Sequence, residues 1–329
     1  MNRREFMGIV GAALATQRAD GARARAAGGD VPRRKLGRTG ETVSIVGLGG
    51  AHIGVQKDPD ESVGIIRAAV EAGITFMDNS WDYNQGQSEL RMGKALRDGY
   101  RNRVFLMTKF DGRDQASATR QIDESLKRLQ TDHVDLLQFH EIIRPSDPQR
   151  IFAADGAIEA ALAARKAGKT RFLGFTGHKS PEIHLAMLKA CGAHGFVPDT
   201  VQMPLNVLDA SYDSFQAKVL PELVKRRIGV LGMKPLGDKF VLKSGAVSPE
   251  DGLRYAMSVP GVVVTITGID SMPILEQALR LARGFRPLSD QARQELERKA
   301  AALAADGQFE AYKSTHHFDS THQHPEWLG

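Results

Sequence analysis

Eight short apolar runs, each followed by a stretch whose apolar residues recur three and four apart, constrain this chain before any single residue is considered. The runs are Ser44–Leu48, Thr75–Asp78, Val104–Lys109, Val134–Phe139, Phe172–Thr176, Thr200–Met203, Gly229–Met233 and Val262–Thr267. Between them, "PDESVGIIRAAVEAG", "SELRMGKALRDG", "SATRQIDESLKRLQ" and "GAIEAALAARKAG" have the spacing of amphipathic helices, and several stop at glycine. Eight strand-and-crossover repeats predict a closed (β/α)8 TIM barrel. A six-stranded doubly wound sheet would need G-x-G-x-x-G leading from the first strand into a helix. "VGLGGAHIG" supplies glycines without that spacing.

Upstream, "RKLGRTGETVSIVGLGG" sets Gly37 and Gly40 between two extended pieces, which predicts a β-hairpin running into the first strand. No linker divides residues 30–329, so they are expected to form one barrel domain. "VLKSGAVSPEDG" is a loop within it. A last helix is expected in "LSDQARQELERKAAALAA", followed by an irregular tail.

The 329 residues would fill two average domains or one large barrel, and 42% apolar with 25% charged residues is an ordinary globular composition. A single cysteine, Cys191, excludes an intrachain disulfide and a cysteine-based zinc site. The net charge of +5 is not a nucleic-acid surface. Arg3, Arg4, Arg18, Arg23 and Arg25 stand against only Glu5 and Asp20 in residues 1–29, and the remaining basic residues alternate with acids along helices. No run of eighteen apolar residues occurs, so no mature segment is expected to span a membrane. The segment 1–29 combines Arg3–Arg4 in "NRREFMG", the weakly apolar "IVGAALA" and an Ala24-Arg25-Ala26 site. It resembles a twin-arginine export signal, and the expectation is delivery of a folded protein to the periplasm by that machinery. The alternative is a disordered Arg/Ala-rich tail on a cytoplasmic protein.

In a (β/α)8 barrel the chemistry sits at the C-terminal ends of the strands. The second strand ends in Asp78, the third in Lys109 and the fourth in His140, with Tyr83 on the loop after Asp78. Neighbouring parallel strands lie about 5 Å apart, so the four side chains can share one pocket. Singly, each has a plain structural role: a turn cap, a solvated lysine, a core histidine, a packed loop ring. Their coincidence at matching strand ends argues for chemistry.

These residues carry a resemblance. "DNSWDYNQGQSE…GKAL", "TKF", "LLQFH", "VQMPLN", "KPLG" and "TGIDS", in this order over about residues 34–285, are similar to the aldo-keto reductases. The resemblance implies an NAD(P)H-dependent reductase of aldehydes or ketones, with Asp78, Tyr83, Lys109 and His140 as its catalytic tetrad. Hydride reaching a carbonyl carbon leaves charge on oxygen, which must receive a proton. A free phenol has a pKa of about 10. Lys109 is expected to lower it, Asp78 to keep that lysine charged, and His140 to orient the substrate oxygen. The family often has Thr-Ala after the aspartate and Gly after the tyrosine, where this chain has Asn79, Ser80 and Asn84. Trp81 and Phe110 are expected at the substrate pocket, with a packing role open for Trp81.

The resemblance also implies a cofactor groove. Thr176, His178 and Gln202 are expected near the nicotinamide amide, and Met233 against its ring. Lys234, Pro235 and Leu236 of "MKPLG" are expected beside the pyrophosphate. Gly268, Asp270, Ser271 and Gln277 belong to the segment that leads into a helix N-terminus, a natural phosphate site. NADP is the family default. Residues 268–278 contain no basic side chain, which leaves NAD as the alternative. Two rival functions remain: a cofactor-binding regulatory subunit on the same barrel, and a metal-dependent hydrolase. His316, His317, His322 and His324 suggest the latter, but they are expected to belong to a flexible tail, and the Asp and His at the strand tips are not expected to form a ligand set, so no metal is assigned.

Overall fold

The computed structural model describes residues 29–304 and 306–329, so the expected export leader lies outside the described residues. The chain enters as an antiparallel hairpin, β1 (Arg33–Lys35) and β2 (Thr42–Ser44). Eight parallel strands then close on themselves: β3 (Val46–Gly49), β4 (Phe76–Asp78), β5 (Phe105–Phe110), β6 (Val134–Phe139), β7 (Thr170–Thr176), β8 (Thr200–Pro204), β9 (Gly229–Met233) and β10 (Val262–Gly268). β10 pairs with β3, which completes a (β/α)8 barrel. The expected strand Ser44–Leu48 is divided in two. The Ser44 hydroxyl donates to the Val46 carbonyl at 2.7 Å and accepts from the Thr75 amide at 2.9 Å, which fixes a bend between hairpin and barrel.

Alternation along the strands sorts two cores. Phe76, Phe105, Met107, Leu136, Leu231, Val264 and Ile266 pack together in one cluster with Leu36 and Val43 of the hairpin. Met77, Leu106, Leu137, Leu173, Val201 and Val230 belong to a second cluster with the surrounding helices. The hairpin therefore plugs the N-terminal end of the barrel. Its turn needs Gly37: φ is +54°, and a Cβ there would stand 2.5 Å from the Gly229 backbone nitrogen.

Helices form where the pattern placed them, at Pro59–Glu71, Gln87–Ala95, Gln115–Leu129 and Ala157–Lys166. The first and third begin at aspartate caps: Asp58 accepts from the Asp60 amide and Asp114 from the Ser117 amide.

The tail expected to be flexible is docked on the barrel. After the helix Asp290–Ala304 the chain forms short helical turns at Ala311–Ser314, Ser320–Gln323 and Pro325–Leu328. Long-range polar contacts tie them to the barrel. Buried Lys313 bridges Asp209 at 2.8 Å and Glu310 at 2.9 Å, and Tyr312 accepts from Asn206 and donates to Glu310. The Leu328 carbonyl accepts from the Arg113 amide, and the Trp327 carbonyl from Gln121.

Candidate active site

The ends of β4, β5 and β6 bring the expected tetrad together. Nζ of Lys109 lies 2.7 Å from Asp78 Oδ1, 2.9 Å from the Tyr83 hydroxyl and 2.7 Å from the Asn79 carbonyl oxygen. The buried ammonium thus donates to a phenol and a backbone carbonyl and forms an ion pair with a carboxylate. Tyr83 starts a tight turn, Tyr83–Gly86, in which Asn84 and Gln85 both have φ above +50°. Asparagine is among the few non-glycine residues that tolerate this conformation, which accounts for Asn84 where the family pattern has Gly. Asn79 and Ser80 are buried in the site itself: Asn79 supplies a carbonyl to Lys109, and the Ser80 hydroxyl lies 3.2 Å from His140 Nδ1.

His140 stands edge-on to Tyr83, with ring centroids 5.7 Å apart. Its Nδ1 faces two carboxylates, Asp111 Oδ1 at 3.0 Å and Asp82 Oδ1 at 3.3 Å. Both carboxylates come from the loops after β4 and β5, not from the strand-tip Asp78. The candidate ligand atoms of Asp82, Asp111 and His140 all lie within 4.8 Å of one another. Burial works against charge on His140, but the two carboxylates outweigh it and push its pKa up to about 10. Asp111, buried and next to Asp82, is pushed up to about 6; Asp82 is held below the ordinary range because His140 and hydroxyl hydrogen bonds outweigh its burial.

The expected lowering of the Tyr83 pKa is not found. Burial raises it first, and Asp78, Asp82, Glu141 and Asp111 add to the rise, so the phenol sits well above its ordinary value. One ammonium does not outweigh desolvation and four carboxylates. Burial likewise raises the Asp78 pKa, and Lys109 opposes the rise.

Phe110 is not a pocket residue. Strand alternation turns Lys109 into the site and Phe110 toward the helices, where it is fully buried and meets Phe139 with centroids 5.0 Å apart. Trp81 has the packing role left open for it: its indole N–H donates to Glu124 at 2.7 Å, and its ring meets Trp327 of the tail edge-on. His178 is turned to the tail as well, its Nε2 lying 2.8 Å from Asp319. Asp319 also takes Lys179 at 2.8 Å and His316 at 2.7 Å. Of the four tail histidines, only His316 thus belongs to this anchor, and it stacks on His322. His317 packs edge-on to Phe318, and His324 stacks on Trp327.

Asp82, Asp111, Arg113, Glu141, Asp319 and Ser320 were missed as site residues in the sequence. Asp82 precedes Tyr83, Asp111 follows Lys109 by two and Glu141 follows His140 directly, so the signal was a carboxylate within two residues of three of the four tetrad positions. Arg113 is fully buried and donates to the carbonyls of Asp111, His140 and Glu141 and to Asp147, pinning the loops after β5 and β6.

The family model described as the aldo/keto reductase family matches residues 45–252. L-galactose dehydrogenase of Arabidopsis thaliana is 33% identical over 224 residues, which are 64% of this chain and 67% of that protein. The chain belongs to the aldo/keto reductase family. Aldo-keto reductase YhdN of Bacillus subtilis (strain 168) is 31% identical over 59% of this chain and 58% of its own length. Among solved structures, the holo form of aldo-keto reductase AKR11C1 from Bacillus halodurans superposes with a TM-score of 0.69, covering 82% of this chain and 96% of that one at 22% identity. That likeness is one of fold.

The residues of this aldo/keto reductase fit the nicotinamide cofactor on which the family runs. Gln202, in the middle of β8, is buried, and its amide oxygen has no hydrogen-bond partner. It pairs in register with Thr176 on β7, whose hydroxyl lies 3.9 Å from the Met233 sulfur. Lys234, at the end of β9, lies over the rings of Tyr312 and Phe318 and forms no ion pair among the described residues; burial lowers its pKa. An orphaned amide oxygen and an ammonium without a carboxylate partner suit a carboxamide and a phosphate. Pro235 is buried and Leu236 half-buried in the same loop. Gly268 ends β10 beneath the His52 ring, since a Cβ there would come within 2.6 Å of it. The Asp270 carbonyl accepts from Gln56, the Ser271 hydroxyl donates to the Asp270 carboxylate at 3.2 Å, and Gln277 is half-buried on the helix Met272–Arg283.

Proposed function

We propose that this chain reduces a small aldehyde or ketone to the alcohol, reversibly, with a reduced nicotinamide cofactor and with Tyr83 as proton donor. The observation that carries the reading is the Lys109 ammonium shared between Asp78 and the Tyr83 hydroxyl at 2.7 and 2.9 Å, beside His140. The cofactor supplies the hydride. The Tyr83 phenol remains protonated at working pH and faces the oxygen on which charge develops. An alkoxide is a base comparable to hydroxide, whose conjugate acid has a pKa of about 15.7. Even a raised phenol can therefore give it a proton, and Lys109 then neutralises the phenolate at hydrogen-bond distance. Asp78 is the ion-pair partner of the buried Lys109 side chain.

Gln202 and Thr176 would hold the nicotinamide amide, Met233 would pack its ring with a thioether, and Lys234 would pair with the pyrophosphate. We take NADP as the cofactor with only weak discrimination against NAD. The helix Met272–Arg283 opens with exposed Met272 and Ile274 after Asp270, and none of these is a cation for a 2′-phosphate.

The test is a panel of aldehydes and ketones mixed with purified protein and either reduced cofactor. Loss of nicotinamide absorbance with alcohol formation supports the reading. Tight cofactor binding without turnover supports a regulatory subunit, and turnover only on adding a metal supports a hydrolase.

A further inference from the structure

The two carboxylates behind His140 have no role in the reduction as derived so far. Asp111 is completely buried, its Oδ2 has no hydrogen-bond partner, and its Oδ1 lies 3.0 Å from His140 Nδ1. Asp82 Oδ1 approaches the same nitrogen at 3.3 Å, and Ser80 Oγ at 3.2 Å. Two buried carboxylates side by side can both be ionised only beside a positive charge. Among the described residues, no other cation pairs with Asp82 or Asp111. Lys109 serves Asp78, Tyr83 and the Asn79 carbonyl. Arg113 serves Asp147 and three backbone carbonyls, and Lys234 lies under the tail rings. Glu141, next in the chain, adds negative charge and is taken up by the tail.

The tautomers then decide what His140 can do. A neutral ring with its proton on Nδ1 satisfies the carboxylates but turns a lone pair on Nε2 toward a substrate oxygen. A neutral ring with its proton on Nε2 turns a lone pair toward two carboxylates. Only the cation presents an N–H on both sides. Nε2 has no hydrogen-bond partner among the described residues and is not among their fully buried polar atoms, so it is free for a ligand.

The tail reaches the same cluster. The Ser320 hydroxyl lies 2.8 Å from Asp82 Oδ2 and 2.8 Å from Glu141 Oε1, while the amides of Ser320 and Thr321 donate to Glu141 at 2.9 and 2.8 Å. A residue at the far end of the chain thus sets the orientation of the Asp82 carboxylate.

We propose that Asp82 and Asp111 are positioning residues that hold His140 as an imidazolium, that its Nε2–H gives a charged hydrogen bond to the substrate carbonyl oxygen, and that Ser320 of the C-terminal tail orients Asp82 for this task. The proposal rests on the reductase reading for its substrate oxygen, but not for the charge state of His140. His140 keeps its proton through the cycle; Tyr83 gives up the proton that the alkoxide receives.

The experiment is a pH series of histidine-15N spectra on the full chain, with the His140 signals assigned by their loss in His140→Gln. The expected result is that both ring nitrogens of His140 carry protons up to about pH 9, and that in Asp111→Asn the ring titrates nearer the ordinary value of about 6.5. In parallel, kcat/KM for carbonyl reduction is expected to stay flat in the wild type from about pH 7 to 9. In Asp111→Asn it should fall roughly tenfold per pH unit above the lowered pKa. Asp82→Asn repeats the test should the first variant fold poorly, and Ser320→Ala should move the same limb by a smaller amount. A neutral His140 in the wild type at pH 8 would overturn the proposal. So would an Asp111→Asn variant slower by one constant factor at every pH, the mark of a merely structural residue. The spectra need no turnover, so a protein that reduces nothing would sink the reductase reading while the charge on His140 is still decided.

Discussion

At Tyr83 the hydroxyl has one close donor, Lys109 at 2.9 Å, and a surrounding of carboxylates that keeps it protonated. Replacing it with phenylalanine removes the proton and little else. Tyr83→Phe is expected to lower kcat by about 10²–10⁴-fold while the Kd for cofactor stays within about twofold, measured by steady-state kinetics and fluorescence titration. Near wild-type turnover with an unchanged pH profile would remove Tyr83 as donor. Asp78, Lys109 and His140 were legible because each ends a strand, and strand ends of a barrel share a face. The carboxylates Asp82 and Asp111 were not, because their meaning depends on which way a loop turns after the strand. Phe110 was misplaced for a related reason: it is one residue beyond Lys109, and one residue is the difference between the inside and the outside of a barrel.

The element that changes the picture most is the tail. Glu141 accepts from the Ser320 and Thr321 amides and the Thr321 hydroxyl, and Asp319 gathers His178, Lys179 and His316. Bonds to a buried charge contribute roughly 1.5–3 kcal/mol each, and they are not additive. Glu141→Gln is therefore expected to speed hydrogen exchange across residues 311–329 by at least about tenfold, with the barrel strands unchanged. The docking should also depend on pH in a definite direction. The Asp319 carboxyl is held below its ordinary value, because hydrogen bonds to His178 and Lys179 outweigh its burial. Its stabilisation is present above about pH 4 and is lost as the pH falls through the folded value. Burial also lowers the His178 pKa, so the docked state resists its protonation, and docking weakens below about pH 6.5. Both signs agree, and tail exchange, corrected for intrinsic rates, should be flat at neutral pH and rise in acid. None of this was legible in "STHHFDSTHQHPEWLG". The partners Glu141 and His178 lie more than a hundred residues away, and a segment of mixed polar and histidine residues has no periodicity to show that it is anchored.

For the whole molecule, the eight barrel strands were legible to within about two residues, because strands buried in a closed parallel barrel read as nearly continuous apolar runs. The hairpin was legible as an element, but its role as a plug was not. That role depends on Leu36, which is fully buried in a cluster with residues from five barrel strands. Leu36→Ala is expected to lower unfolding stability by about 2–5 kcal/mol in denaturant titration and to leave KM unchanged, because the plug and the site occupy opposite ends of the barrel. Cofactor choice is set at the mouth. With no cation in residues 268–278, the ratio of Kd values for oxidised NAD and NADP is expected to be about ten or less, roughly 1.4 kcal/mol. A ratio of several hundred would mean that a lysine outside that segment, such as Lys239, reaches the 2′-phosphate. The most direct test of the central claim is to supply the purified protein with a reduced nicotinamide carrying deuterium at C4 and an aldehyde, and to examine the alcohol by mass spectrometry and NMR. The account expects one deuterium on the carbinol carbon and a solvent-derived proton on its oxygen. An alcohol without deuterium at that carbon, or no alcohol from any aldehyde or ketone while the cofactor stays bound, would contradict it.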